Sequence, residues 1–402
     1  MPLRKLLFWP HLICGCLAGA VILVMSATGV LLTYERQILD WADLRALKPA
    51  PTAPGSPRLS PEELISKVRQ QEGATPVAIT LRSSDNAPAA LSYGRDKTVF
   101  ADPRSGEILG YGDPELRRLF RQFLVWHRWL GASEGPAQAT GKAITGAANL
   151  LFLFLILSGL YIWFPRQWSW RHFRPALWFR AGLAGRARDF NWHNVLGFWM
   201  SIPLFWIALS ATMFSYPWAT RLVYTITGTE APAPPPQVKG GGKKQSARTE
   251  KKTSTPLIES LPLEAPLEGL NAVIARAQAE VPGWLILSVR LAGPLTVTVD
   301  EAERGRPDLR TILTFDRSTG ELRERETFAS YNTGRRARTW LRWIHTGEAG
   351  GVPGQTLAGI ASLAAVLLVW TGIALALRRF SAWRGRRRRS PEPEPELART
   401  QG

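Results

Sequence analysis

His193-Asn194-Val195-Leu196-Gly197 opens the apolar run Phe198 to Tyr216. An imidazole stands at the head of a run long enough to cross a bilayer, with Gly197 one helical turn below it and Ser201 one turn further. The same order occurs near the N-terminus, where His11, Gly15 and Gly19 open the run Leu12 to Thr33. A metal-capable side chain above a column of small residues, twice in one chain, sets the reading, because ionisable groups within membrane helices are costly and mark function.

Four long apolar runs are present, roughly at 12–33, 143–164, 194–215 and 356–377, and none carries Lys, Arg, Asp or Glu in its central part. Each matches the ~20 residues a helix needs to span a bilayer. The 402-residue chain has a formal charge of +18 and 17 Trp. Such a charge can signal nucleic acid, but its placement points to a lipid bilayer instead. Arg4 and Lys5 precede the first run. Arg166, Arg171, Arg174, Arg180, Arg186 and Arg188 separate the second from the third. Arg378, Arg379, Arg384 and Arg386 to Arg389 follow the fourth. Threading four helices puts all three basic segments on one face, the cytoplasmic one by the positive-inside rule, together with both termini. Residues 34–142 and 216–355 then lie outside.

Ala18-Gly19-Ala20 has the spacing of a signal-peptide cleavage site, but the run continues to Leu32, longer than a signal core, so retention is expected. Cys14 and Cys16 sit within this run on different helix faces and cannot staple an outer domain. Without a Cys-x-x-Cys-His motif, covalent c-type haem is excluded.

The chain divides into a first membrane helix within residues 1–33, an outer module over 34–114, and an interfacial helix with the second membrane helix over 115–165. A basic inner loop follows over 166–192, then the third membrane helix over 193–216 and an outer segment over 217–256. The latter holds a Pro-, Gly- and Lys-rich insert, 231–256, whose composition predicts disorder. A second outer module covers 257–330, an interfacial segment and the fourth membrane helix 331–378, and a basic tail 379–402.

Within the first module, Ser60-Pro61-Glu62-Glu63 reads as an N-cap, a proline at N1 and early acids, predicting a helix to about Glu72. Short strands are expected at 76–82, 89–93, 99–101 and 108–109, the last two joined by the turn Asp102-Pro103-Arg104-Ser105-Gly106-Glu107. The second module repeats the plan, with a helix over 267–279, strands at 284–292, 295–300 and 310–315, and the turn Asp316-Arg317-Ser318-Thr319-Gly320-Glu321. Trp340-Leu341-Arg342-Trp343-Ile344-His345 echoes Phe123-Leu124-Val125-Trp126-His127. The offsets are 182 (193 − 11), 214 (316 − 102) and 218 (345 − 127). The jump after the first is about the size of the insert, so the chain reads as an internal duplication.

Four of the five histidines occupy matched places: His11 and His193 at inner helix mouths, His127 and His345 at the outer face. The fifth, His172, has no partner in the repeat and is read as facing surface or headgroups. Two neutral imidazoles from facing helices suit a b-type haem, and bundle cores supply such ligands. Gly15, Gly19, Gly197 and Ser201 offer room for a flat ring, and Gly131 follows His127 by one turn. Small residues at this spacing also serve plain helix packing. Arg128 and Arg342, beside Arg117, Arg118, Arg121, Arg335, Arg336 and Arg338, could pair haem propionates or simply meet headgroups. Histidines split between two faces do not make one tetrahedral zinc site.

The Asp189-x-x-x-His193-x-x-x-Gly197 opening, its echo at residues 4–15, Trp126-His127-Arg128-Trp129-Leu130, Ile344-His345-Thr346-Gly347 and the two Asp-x-x-(Ser/Thr)-Gly-Glu turns together resemble the PepSY-associated transmembrane family. The resemblance spans the chain except 231–256, which has no family counterpart, and the tail after 384. It implies a bacterial inner-membrane protein: an all-α four-helix transmembrane bundle with two small periplasmic α+β modules of PepSY type. It also implies two b-type haems held by His11, His193, His127 and His345, the places where ferric-siderophore reductases of this kind ligate haem.

The function expected is therefore electron transfer from a cytoplasmic donor, a flavin reductase or quinol, to a periplasmic ferric chelate in iron uptake. The inner segment of about 165–192 is too short for a flavin or nicotinamide domain, and no Gly-x-Gly-x-x-Gly follows a strand. The alternative is a non-enzymatic membrane protein that regulates or senses periplasmic proteases or ligands through its outer modules. A transporter fits less well, because the four runs are smooth rather than interrupted by polar residues.

Overall fold

Uninterrupted apolar stretches leave the backbone only its own carbonyls as partners, and such stretches become helices. The computed structural model describes residues 2–48, 56–94, 96–164, 167, 169–231, 266–302 and 306–388. The insert lies outside the described residues from 232 on, as do most of the 48–57 linker and the tail beyond 388. In chain order come helices α1 (Pro2–Leu32), α2 (Glu35–Arg45) and α3 (Pro61–Glu72), then strands β1 (Ala78–Arg82), β2 (Ala89–Tyr93), β3 (Lys97–Ala101) and β4 (Ile108–Tyr111). Helices α4 (Pro114–Trp129), α5 (Gly135–Trp163), α6 (Trp170–Leu177), α7 (Gly185–Ser215), α8 (Pro217–Ile226) and α9 (Leu270–Glu280) follow. Strands β5 (Ile286–Arg290), β6 (Leu295–Asp300), β7 (Arg310–Phe315) and β8 (Leu322–Thr327) precede α10 (Thr333–Thr346) and α11 (Gly351–Arg388).

The chain forms two units, one made of 1–30, 125–215 and 356–402, the other of 31–124 and 216–355. The first is helical. Its α1, α5, α7 and α11 are long and apolar enough to cross a membrane. Their outward faces are apolar: Leu17 is 73% exposed, Ile202 70% and Leu377 61%. Water would not tolerate so much continuous apolar surface, whereas lipid does. Inside, α1 meets α5 through Ala18, Ile22 and Ala148, and α7 meets α11 through Leu204, Ala361 and Ala365. Asn149 on α5 donates to the Ala208 carbonyl and the Thr212 hydroxyl of α7, at 2.9 and 3.0 Å.

The second unit is built on one antiparallel sheet in the order β4-β3-β2-β1-β5-β6-β7-β8. The two modules expected from the sequence are thus not separate: β1 pairs β5, with Ile79 opposite Val289. This pairing removes two free edges that would otherwise present unpaired backbone. Leu64, Ile65 and Val68 of α3, with Val273, Ile274 and Ala277 of α9, cover a core of Ile79, Leu91, Val99, Leu287, Val289, Val297, Val299 and Leu313. The Ser60 hydroxyl accepts from the Glu63 amide and Glu63 reaches back to the Ser60 amide, the capping box that starts α3. The N-termini of α3 and α9 exchange hydrogen bonds, Glu62 N–H to Asn271 Oδ1 and Asn271 N–H to Glu62 Oε1, both 3.0 Å.

Each expected strand is present, and β8 is an addition. Its sequence, Leu-Arg-Glu-Arg-Glu-Thr, has no apolar alternation, because an outermost strand bearing charges meets water on one side. Helices α2 and α8 are also additions. Each follows a membrane helix and exposes an apolar stripe at helical spacing, Ile38, Trp41 and Leu44 on α2 and Trp218, Leu222 and Ile226 on α8, as helices lying along a membrane surface do.

Candidate functional site

Neither His11 nor His193 sits at a helix mouth as the apolar runs suggested. α1 begins at Pro2 and α7 at Gly185, so both imidazoles lie at least two turns inside. The polar residues ahead of His193 stay helical because each finds a partner. Buried Asp189 pairs with Arg188 at 2.9 Å and with Arg378 at 2.7 Å. The Asn191 side chain accepts from the Arg180 amide and donates to the Trp178 carbonyl.

His11 and His193 are brought near one another within the helical unit. Each is held by a hydroxyl on a neighbouring membrane helix. His11 Nδ1 lies 2.9 Å from Ser158 Oγ on α5, and His193 Nδ1 lies 3.0 Å from Thr371 Oγ1 on α11. Those hydroxyls have already spent their one proton on their own helices: Ser158 donates to the Phe154 carbonyl at 2.6 Å and Thr371 to the Leu367 carbonyl at 2.7 Å. A hydroxyl whose proton is committed can only accept, so Nδ1 carries the hydrogen in both rings. The lone pair is then on Nε2.

His127 follows the same logic further along α1. Its Nδ1 lies 2.9 Å from the Met25 carbonyl and 3.1 Å from Thr28 Oγ1, which itself donates to the Val24 carbonyl at 2.7 Å. A carbonyl has no proton to give, so here too Nδ1 is the donor. His11 and Thr28 are separated by roughly 25 Å along α1 at ~1.5 Å per residue. His345 lies half-buried near the end of α10, in the sheet unit.

The small residues expected to make room pack against other helices. A Cβ on Gly15 would meet Leu155 at 3.8 Å, on Gly19 Ile373 at 3.4 Å, and on Gly197 Leu368 at 3.8 Å. Ser201 is buried and donates to the Phe198 carbonyl. The glycines that touch the imidazoles are different ones, which the sequence reading passed over. A Cβ on Gly159 would stand 3.0 Å from His11 Cε1, on Gly372 3.3 Å from His193 Cε1, and on Gly29 3.5 Å from His127 Cε1. The signal was there: Ser158-Gly159 and Thr371-Gly372 repeat at an offset of 213 (371 − 158), and Thr28-Gly29 has the same form.

Gly131 serves the turn after α4. Its φ is +89°, and a Cβ would press the Trp126 ring at 3.1 Å. Arg128 is exposed and stacks over Trp129 at 4.9 Å, and Arg342 is exposed on α10. The end of the helical unit that holds His11 and His193 is ringed by cations and aromatics. Arg188 lies over Trp192 and Trp370, and Arg379 over Phe8 and Trp9. Arg4 bonds the Phe164 carbonyl.

Among the described residues, no three His, Cys, Asp or Glu side chains gather into a metal-binding cluster. What the helical unit offers is imidazoles with Nδ1–H secured and Nε2 bearing the lone pair. That donor set would suit a metal held through Nε2, since ligating histidines give their other N–H to a fixed acceptor. It fits a b-type haem, whose iron takes neutral imidazoles in this way. A search of the curated proteins returns no match to this chain. The family model of the PepSY-associated TM region matches residues 8–379, nearly the whole length, and this multi-pass membrane chain belongs to that family.

Proposed function

We propose that this chain is an electron carrier of the bacterial inner membrane that holds two b-type haems and reduces a ferric chelate, such as a siderophore complex, on the periplasmic side. His11 and His193 would ligate the inner haem. His127 would ligate the outer one, and His345 is assigned to it from its matched place in the sequence repeat. The observation that carries this reading is the shared contact of His11, His193 and His127, whose Nδ1 in each case meets an acceptor on a membrane helix. The cations around the His11 and His193 end, Arg4, Arg188, Arg378 and Arg379, support a cytoplasmic placement of that end by the positive-inside rule.

Haem, when bound, supplies a one-electron carrier at each level. The chain's part is to fix the imidazoles, keep them neutral and hold them in apolar surroundings. The donor, a reduced flavin on a cytoplasmic reductase or a membrane quinol, gives up two electrons, and two ferric ions take one each. Ferrous iron binds hard oxygen ligands less tightly, so reduction frees it from the chelate.

Full-length protein purified in detergent from haem-replete cells should show a reducible b-type spectrum with two haems per chain. His11→Ala and His193→Ala should each remove one haem and leave the other, and His127→Ala should remove the second. A colourless wild-type protein sinks the proposal and turns attention to a non-enzymatic role of the sheet unit.

A further inference from the structure

Three imidazoles on three helices meet the same two-residue device. Ser158-Gly159 receives His11, Thr371-Gly372 receives His193, and Thr28-Gly29 receives His127. In every case the hydroxyl meets Nδ1 and the following glycine lies against Cε1. We infer that these hydroxyl–glycine pairs are positioning residues that fix the tautomer and raise the basicity of the ligand nitrogen, and so set the potential at each level. The inference rests on the haem reading given above.

The direction of need carries the case. Each hydroxyl is already satisfied by a carbonyl of its own helix, so it gains little from the imidazole. An imidazole Nδ1–H in an apolar setting needs an acceptor, and the hydroxyl supplies one in each case. The glycine answers a separate requirement, because the ring reaches the hydroxyl only by lying against the helix where a side chain would stand. The contacts tighten from Gly29 through Gly372 to Gly159, at 3.5, 3.3 and 3.0 Å for an added Cβ. His127 and His193 each have a backbone carbonyl as a second partner, Met25 at 2.9 Å for His127 and Leu368 for His193.

An acceptor on Nδ1–H makes Nε2 a stronger donor and favours the ferric state, and losing such a partner typically costs 10–100-fold in metal affinity. Thr371→Val keeps the shape and removes the hydroxyl, and Ser158→Ala does the same on α5. Both should raise the potential of the same haem, because His11 and His193 serve one iron. A tenfold loss of ferric preference appears as about 59 mV for one electron. Thr28→Val should move the other haem; there, as in Thr371→Val, a backbone carbonyl remains, so both shifts should be smaller than that of Ser158→Ala. Thr371→Ser and Ser158→Thr should restore wild-type values, which a mere packing role would not require.

The test is a spectroelectrochemical titration of the full chain with low-spin EPR on the same samples. Full haem content with unshifted potentials and g values in Thr371→Val, Ser158→Ala and Thr28→Val overturns the inference and leaves the function reading intact. If the wild-type chain binds no haem, the function reading falls and histidine 15N NMR of the same protein decides the remainder. Nδ1–H in the wild type, lost in Ser158→Ala, upholds the device; Nε2–H in the wild type overturns it.

Discussion

The helical unit and the sheet unit solve opposite problems. In the sheet unit the core between sheet and helices is mainly aliphatic, with Leu64, Ile65, Val289 and Leu313 in it, while β8 carries charges along the outer edge of the sheet. In the helical unit the outward faces carry Leu17, Ile202 and Leu377, and the buried positions include Asn149, Asp189, Ser158, Ser210 and Thr371. The surroundings account for the inversion. Water rewards burying apolar surface, whereas lipid does not, so a membrane bundle gains most from placing its few polar groups against one another.

The most damaging test of that contrast is in the sheet core. Leu313→Ala should destabilise the sheet unit by about 2–5 kcal/mol, the usual cost of emptying a fully buried leucine site. Thermal melts of the full chain in detergent should show it, with the haem spectrum preserved at lower temperature; a melt unchanged by the substitution would mean that β7 is not central to the fold. On the outside of α7, Ile202→Lys should cost about 2.5–3.5 kcal/mol of membrane insertion. The position is 70% exposed, so in a water-soluble bundle the same change would be near neutral. A glycosylation-based insertion assay reads the difference.

Smaller effects separate the imidazoles. Gly159→Ala should disturb its histidine more than Gly372→Ala, and that more than Gly29→Ala, following the 3.0, 3.3 and 3.5 Å contacts. Haem retention during gel filtration ranks them, and an inverted order would detach the glycines from the histidines. The smallest effect is electrostatic and lies in the sheet unit. The Ser318 hydroxyl, then the amides of Thr319 and Ser318, hold the Asp316 carboxyl well below the usual carboxylate range. A depressed folded pKa gives stability that is complete above the unfolded value, about 3.9, and fades as pH falls through the folded one. Asp316→Asn should therefore flatten the acid limb of the stability profile, lowering stability slightly at neutral pH and leaving it unchanged at the acid end, which melts across the pH range would read.

How far the sequence carried can be judged at particular residues. Ser60-Pro61-Glu62-Glu63 gave the start of α3 to the residue, because a capping box is closed within four positions. β8 and α2 were illegible, because a charged edge strand has no apolar periodicity and the stripe Ile38, Trp41 and Leu44 of α2 is short and directly follows a membrane run. Gly15, Gly19 and Gly197 drew attention by their spacing from a histidine on the same helix. The glycines against the imidazoles are on other helices.

By itself, then, the sequence determined the four membrane helices, the strands of the two modules and which histidines deserve attention, because each of these is written in local periodicity and composition. Only the tertiary structure decided that the modules share one sheet through β1 and β5, and that Ser158-Gly159, Thr371-Gly372 and Thr28-Gly29 receive the imidazoles. The physical reason is range. A helix reports its own period within a turn or two, but a hydrogen bond between residues 11 and 158, or 193 and 371, exists only once packing has chosen which helices stand side by side.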